Sequence, residues 1–428
     1  MIRNLLIAAM ALLASPATAQ TVIGCGTVAI SKAESGDRAK LAVAADCFDR
    51  AAVAAQAAAK VRRDRIVALA LLPQPVPPAP PPVVSLPTMN ATPVLAGQVP
   101  AVASGLDVLS LLGSMRIPPT MAPDVVGAFR FLCGPGQVLA DDPIMYPGQR
   151  GRAHLHQFFG NLSADASSTY ASLRSSGEST CQNELNRSAY WMPAMLDGHD
   201  NAVRPDAVSI YYKRRPKTDP FCTSQATACA DWPRGLRVIF GWDQTRPTVA
   251  QPENAARFHF SCAAGGHPTT TAFPNMVEPS KLCKAGQQLN ATIQTPICWN
   301  GRDLDSPDHR SHLADAVGPG YPGHCPTTHP YLIPQFTMNV TWTIGEGDDP
   351  TRWTLASDHM KPGGLPGDTF HSDYFEAWED GVRNRWSAGC IDHQLNCSDG
   401  DLGDGQIMAR GRYYPSGVAN PRLVPVPR

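Results

Sequence analysis

The sequence predicts a mainly β protein. The expected fold is a β-sandwich-like domain with long disulfide-stapled loops and a few short helices, preceded by a small helical N-terminal unit and a Pro-rich linker. Three observations carry this expectation. Beyond Pro119, short runs rich in β-branched and aromatic residues recur between clusters of Gly, Pro, Asn and Asp, the texture of strands joined by turns. The twelve cysteines form an even set, which suits an oxidising compartment and a disulfide framework. No alternation of strands with long helices marks a parallel α/β fold.

Residues 1–19 read as a secretory signal, with Arg3, an apolar stretch from Leu5 to Leu13, and Ala17-Thr18-Ala19 before Gln20. The apolar stretch is too short to cross a bilayer, so a secreted or periplasmic protein without a transmembrane segment is expected. Residues 20–72 form an Ala-rich unit whose Leu41, Ala45, Phe48 and Ala52 recur at helical spacing. Cys25 and Cys47 can tie the preceding segment to that helix.

A linker covers residues 73–120. Pro73 to Pro82 holds seven prolines in ten residues, which fixes φ and favours a stiff polyproline II spacer. A short helix near Gly105 to Gly113 is the most that the rest of the linker offers. Residues 121–428 form the main domain. Its expected strands are Ala128–Cys133, Ala207–Lys213, Leu236–Trp242, Arg257–Cys262 and the alternating Gln335–Thr343, with one helix near Asp373 to Arg385. Cys222 with Cys229 and Cys390 with Cys397 are close enough to close small loops.

Charge and motifs exclude more than they name. A net charge of −1 gives no electrostatic reason to expect nucleic acid or an anionic membrane as partner. No Gly-x-Ser-x-Gly elbow, His-Glu-x-x-His, Walker loop or dinucleotide fingerprint is present. The six Asn-x-Ser/Thr sequons matter only in a eukaryotic secretory route, and the Ala-rich signal has a bacterial character.

The candidate chemistry lies in histidine. All twelve histidines fall at or beyond position 154. In a strand, His154 and His156 project from one face, with Arg152 before them and Phe158 and Phe159 just beyond. Such a pair can ligate one metal ion, divide acid and base roles, or be a core histidine beside a surface one. In Asp308-His309-Arg310-Ser311-His312, a helical turn would put His309 and His312 on one face. Asp308 would then either fix an imidazole tautomer or cap the turn and pair with Arg310. His371-Ser372-Asp373 follows a Gly-rich loop and precedes aromatics; His371 is the preferred base or metal ligand there, and Asp373 its acidic partner or a helix cap.

Arg174, Tyr190, Trp191, Lys213 and Trp378 are candidates for substrate binding, each with a plainer reading as core, ion pair or solvated side chain. The expected metal set is His154, His156 and His371, with a divalent ion as cofactor.

The runs Asp142-Pro143-Ile144-Met145-Tyr146-Pro147-Gly148 and His154-Leu155-His156-Gln157-Phe158-Phe159-Gly160-Asn161 resemble the opening of the DUF1996 family of secreted proteins. Matches continue through Tyr170–Arg174, Ser179–Cys181, Ser188–Pro193, Tyr211–Lys213 and Cys298–Gly301. They end with Leu304–His312, Cys325-Pro326, His329-Pro330, His371–Phe375 and Trp378. The resemblance covers roughly residues 125–400. Fungal relatives are often joined to carbohydrate-binding modules, which implies cell-wall or polysaccharide surroundings.

The expected function is therefore an exported enzyme, a lyase or hydrolase, acting on extracellular or cell-wall polysaccharide through His and Asp, with metal assistance. A non-catalytic glycan- or wall-binding protein, or a metal-binding protein, is the alternative.

Overall fold

The computed structural model describes residues 99–114, 118–223, 227–246, 258–318, 323–418 and 421–426. The expected signal, the helical unit with Cys25 and Cys47, and the Pro73–Pro82 run lie outside the described residues. What is described is mainly β, as the sequence predicts. An eight-stranded sheet and a five-stranded sheet form the frame, and smaller two- and four-stranded sheets edge it. None of the described helices is long and apolar enough to cross a membrane.

The eight-stranded sheet runs in the order His267–Pro268, Phe258–Ala264, Gln288–Gln294, Gln335–Thr343, Ala207–Arg214, Gly127–Cys133, Leu395–Cys397, Thr120–Met121. Its long central strands alternate strictly between buried and half-buried residues, the signature of a sheet with one dry face. This is why Gln335–Thr343 is found with the bounds the sequence predicts. Ile210, Tyr212, Leu289, Ile293, Phe336 and Met338 supply the dry face.

The five-stranded sheet is ordered Arg237–Gly241, His371–Phe375, Ala189–Pro193, His156–Gly160, Pro135–Leu139, all antiparallel. Phe159, Tyr190, Met192, Val238, Phe240 and Tyr374 point from one side into the common core. Tyr190 and Tyr374 stack on Phe336 of the other sheet, with ring centroids 5.5 and 4.6 Å apart. The opposite side is also covered. Phe158, Trp191, Ile239 and Phe375 pack there with Ala377 and with Ile144, Ala164 and Leu173, the last three delivered by the chain between Leu139 and Ala189. The three central strands are thus buried at every position.

Two expectations are corrected. The helix placed over Asp373–Arg385 is a strand to Phe375 and a helix only over Asp380–Trp386, so Asp373 is a sheet residue and caps nothing. The short helix near Gly105–Gly113 is a single turn, Leu109–Leu111, leading into strand Leu112–Ser114, which pairs with Gln406–Met408. Five disulfides are described: Cys133–Cys181, Cys222–Cys229, Cys262–Cys283, Cys298–Cys325 and Cys390–Cys397. The second and fifth are the small loops expected from spacing.

Candidate metal centre on the outer face of the five-stranded sheet

Register alone assembles the floor of the site. Asp373 lies opposite Trp191, which lies opposite Phe158, and directly paired residues share a face. His371 and His156 sit two residues away along their strands, so His371, Asp373 and His156 rise from one side of the sheet. His154 lies just before its strand begins, yet its ring centroid is 4.2 Å from that of His156 and 5.1 Å from that of His371.

The three imidazoles offer one ring nitrogen each, all within 4.8 Å of one another, and Asp142, His156 and Asp373 do the same with their own ligand atoms. His156 belongs to both triads. His156 and Asp373 are 0 % exposed and His371 1 %; half-buried His154, beside the exposed loop 147–152, marks the solvent side.

Backbone carbonyls fix the tautomers. Nδ1 of His156 lies 3.0 Å from the Asp141 carbonyl oxygen, and Nδ1 of His371 lies 2.8 Å from that of Thr369. A carbonyl only accepts, so each Nδ1 carries the proton and each Nε2 presents a lone pair. Those Nε2 atoms, with Nε2 of His154 and both carboxylate oxygens of Asp373, are buried without a hydrogen-bond partner.

Burial, reinforced by the neighbouring imidazoles, holds His154 and His371 well below the usual histidine range and pushes His156 down to about 3. Burial, with the Asp142 carboxylate nearby, drives Asp373 well above the carboxylate range against the pull of Arg310. Asp142 is pushed up to about 6 by burial, although its Oδ1 accepts from the Ile144 and Met145 N–H groups at 2.8 Å. Neutral imidazoles with converging lone pairs beside the unpartnered carboxylate of Asp373 are a ligand set for a divalent cation.

The Asp308–His312 block meets this site differently from the predicted helical turn. His309 has φ of 57°, and its Nδ1 pairs at 2.8 Å with Asp305, while His312 Nδ1 pairs with Ser306 Oγ at 2.9 Å. The two rings do not share a helical face, because the segment is a turn. Asp308 accepts from Ser306, Arg310 and Ser311, so it caps the turn and reaches the His312 imidazole only through Ser306 Oγ.

One alternative paired Arg310 with Asp308. Instead Arg310 donates to the carbonyls of Gly241 and Trp242 at 3.2 and 2.8 Å and is close enough to favour the charge of Asp373.

The remaining candidates are not gathered at the centre. Arg174 is buried in an ion pair with Glu379, 2.5 Å away. Lys213 projects from the outer face of the other sheet, 5.5 Å from the Tyr211 ring centroid. Tyr190 and Trp378 lie in the core, where Tyr190 Oη accepts from Asn186 and Trp378 Nε1 donates to Tyr212 Oη. Arg152 is exposed and packs over Tyr146. Trp191 alone sits on the floor, stacked on Phe158.

Three residues escape the sequence reading. Asp142 was visible only as the opening of a family block, and Arg310 as the residue between two histidines. His359, whose proximity disfavours protonation of His154, carries no sequence signal.

His312 supplies a test of burial apart from the centre. It is fully buried, and burial lowers it to about 4 against the opposing pull of Asp305. The unfolded chain then binds a proton that the folded chain refuses. The stability contribution is complete above pH 6.5 and is lost as pH falls towards 4, by about 3 kcal/mol. Urea titrations at pH 7 and pH 4 should show a shallower decline for His312→Asn; equal declines would remove His312 as the cause.

Comparison with curated proteins and with solved structures finds no match. The family model described as a domain of unknown function, DUF1996, matches residues 142–378, and the chain belongs to that family.

Proposed function

We propose that His154, His156 and His371, with Asp373 and Asp142, hold a divalent metal ion, and that this centre serves an exported enzyme acting on extracellular or cell-wall polysaccharide. The observation that carries the reading is the convergence of unpartnered imidazole Nε2 atoms beside an unpartnered buried carboxylate. Nothing else among the described residues satisfies those lone pairs, and each triad, within 4.8 Å, is spaced for one cation.

Among polysaccharide chemistries the donor set favours a lyase over a hydrolase. Glycoside hydrolysis ordinarily needs two carboxylates flanking the scissile bond. Here Asp142 and Asp373 share His156 as neighbour, with donor atoms within 4.8 Å. β-Elimination from a uronic acid polymer needs a cation on the substrate carboxylate and a base for the adjacent proton. A bound metal would supply the cation, and the carbonyl-pinned imidazoles with Asp373 would hold it in place. Five disulfides accord with the exported setting.

Burial favours a second reading, a metal-binding protein without turnover, because His156, His371 and Asp373 leave a polymer no direct access in this conformation. One assay separates the two. Exported, untagged protein is incubated with a panel of acidic and neutral polysaccharides, with and without chelator. The enzyme reading expects unsaturated products from an acidic polymer, lost on chelation and restored by metal. Metal-loaded protein that releases nothing from any polymer would establish the second reading instead.

A further inference from the structure

The outer face of the eight-stranded sheet has an unusual composition. Nine outward positions lie on its two central strands, from Gln288 to Gln294 and from Gln335 to Thr343, and every one is Gln, Asn or Thr. A solvated sheet face normally mixes Lys, Arg, Glu and Asp for solubility. These nine carry no ionisable group and no large apolar group.

The middle of the face is already ordered. Thr292 Oγ1 donates to Asn339 Oδ1 at 3.0 Å, and Thr341 Oγ1 donates to Asn290 Oδ1 at 2.8 Å. These cross-strand bonds engage the amide oxygens and orient both asparagine side chains. The N–H groups of Asn290 and Asn339 are left facing outward with no partner among the described residues. Groups fixed before binding lose little entropy when a ligand arrives.

The polar rows continue through Ser209 to Tyr211 on the neighbouring strand, paired with Asn339 and Thr337. Tyr211 lines a groove of about 320 Å³ with Arg130, Asp399 and Tyr414.

We propose that this face docks a neutral polysaccharide. Its chemistry selects that occupant. The two central strands offer no charge to attract a polyanion and no apolar surface to bury a protein partner. What they offer is a flat grid of amide and hydroxyl groups, at about 4.8 Å between strands and about 7 Å along them. A sugar chain presents hydroxyl donors and acceptors on a comparable scale, and at one edge Tyr211, flanked by Arg130 and Lys213, adds an aromatic contact beside the grid.

The site lies on the sheet face pointing away from the five-stranded sheet, apart from the metal centre, and it holds a neutral polymer rather than an acidic one. It therefore does not depend on the metal centre being catalytic.

The test is co-sedimentation of the full exported chain, in chelator, with insoluble cellulose, chitin and β-glucan, and separately with soluble polygalacturonate by gel retardation. The proposal expects retention on at least one neutral polymer, insensitive to salt. Asn290→Ala/Asn339→Ala and Tyr211→Ala should each weaken it tenfold or more at unchanged thermal midpoint, while His154→Ala/His156→Ala leaves it intact. No retention on any of the three polymers overturns the proposal. So does retention unaffected by both platform variants, or binding confined to polygalacturonate. A wild type that carries no metal when isolated without chelator, yet sediments with a neutral polymer, would sink the metal centre and leave the platform standing.

Discussion

Replacing both His154 and His156 by alanine is expected to strip the protein of a metal ion that the wild type carries at near stoichiometry. His156 is the donor common to both triads and is buried completely, so its loss opens the histidine set and the carboxylate set together. His154 is the donor on the solvent side, and its loss removes the third imidazole. Outer-shell partners of a ligand are worth about 10- to 100-fold in affinity, and two direct ligands should cost more than about 100-fold. The check is metal content of untagged protein exported to the periplasm, wild type beside variant, with circular dichroism confirming that both fold. A metal-free wild type, when isolated without chelator, would eliminate the centre.

The second expectation concerns Asp373, for which metal and folding pull in opposite directions. Its carboxylate is buried with neither oxygen hydrogen-bonded, a costly arrangement for a charge without a cation. In chelator, Asp373→Asn should therefore raise the unfolding free energy, by about 1–2 kcal/mol at neutral pH. In excess metal the order should reverse, because the wild type gains binding energy that the amide cannot match. Thermal midpoints of both proteins, with chelator and with metal, form a crossing pattern if Asp373 is a ligand. Parallel shifts would show that it is not.

Much of the fold was legible, and the part that was not has one physical cause. Ala207–Lys213 and Gln335–Thr343 alternate because one side is dry and the other solvated. The strands Ala189–Pro193 and His371–Phe375 are covered on both sides. They show no alternation, and the second was read as the start of a helix. The same double cover explains why Tyr190 could pass for a cleft residue while it stacks inside the core.

For the centre, the His154–His156 spacing announced itself locally. Its meeting with His371 depends on the pairing of Asp373 with Trp191 and of Phe158 with Trp191. Only the two pairings together bring His154 to His371, more than 200 residues away in the chain, which no local pattern records. The Asp308–His312 block was given the wrong backbone, since the positive φ of His309 rules out a helical turn.

Along His371-Ser372-Asp373-Tyr374 the side chains alternate between two tasks. His371 and Asp373 face the centre, while Tyr374 reaches across to donor and stacking partners in the opposite sheet, with its hydroxyl 2.6 Å from that of Tyr212. The two faces differ by one residue, the smallest step a chain can take. Inserting or deleting a single residue anywhere in this strand would turn the ligands into the oily interior and the tyrosine out towards the metal. The strand is thus locked in phase by two unrelated demands, and neither can be relaxed alone. Any lineage that alters the chemistry here must do so by substitution in place, with the length of this strand held constant.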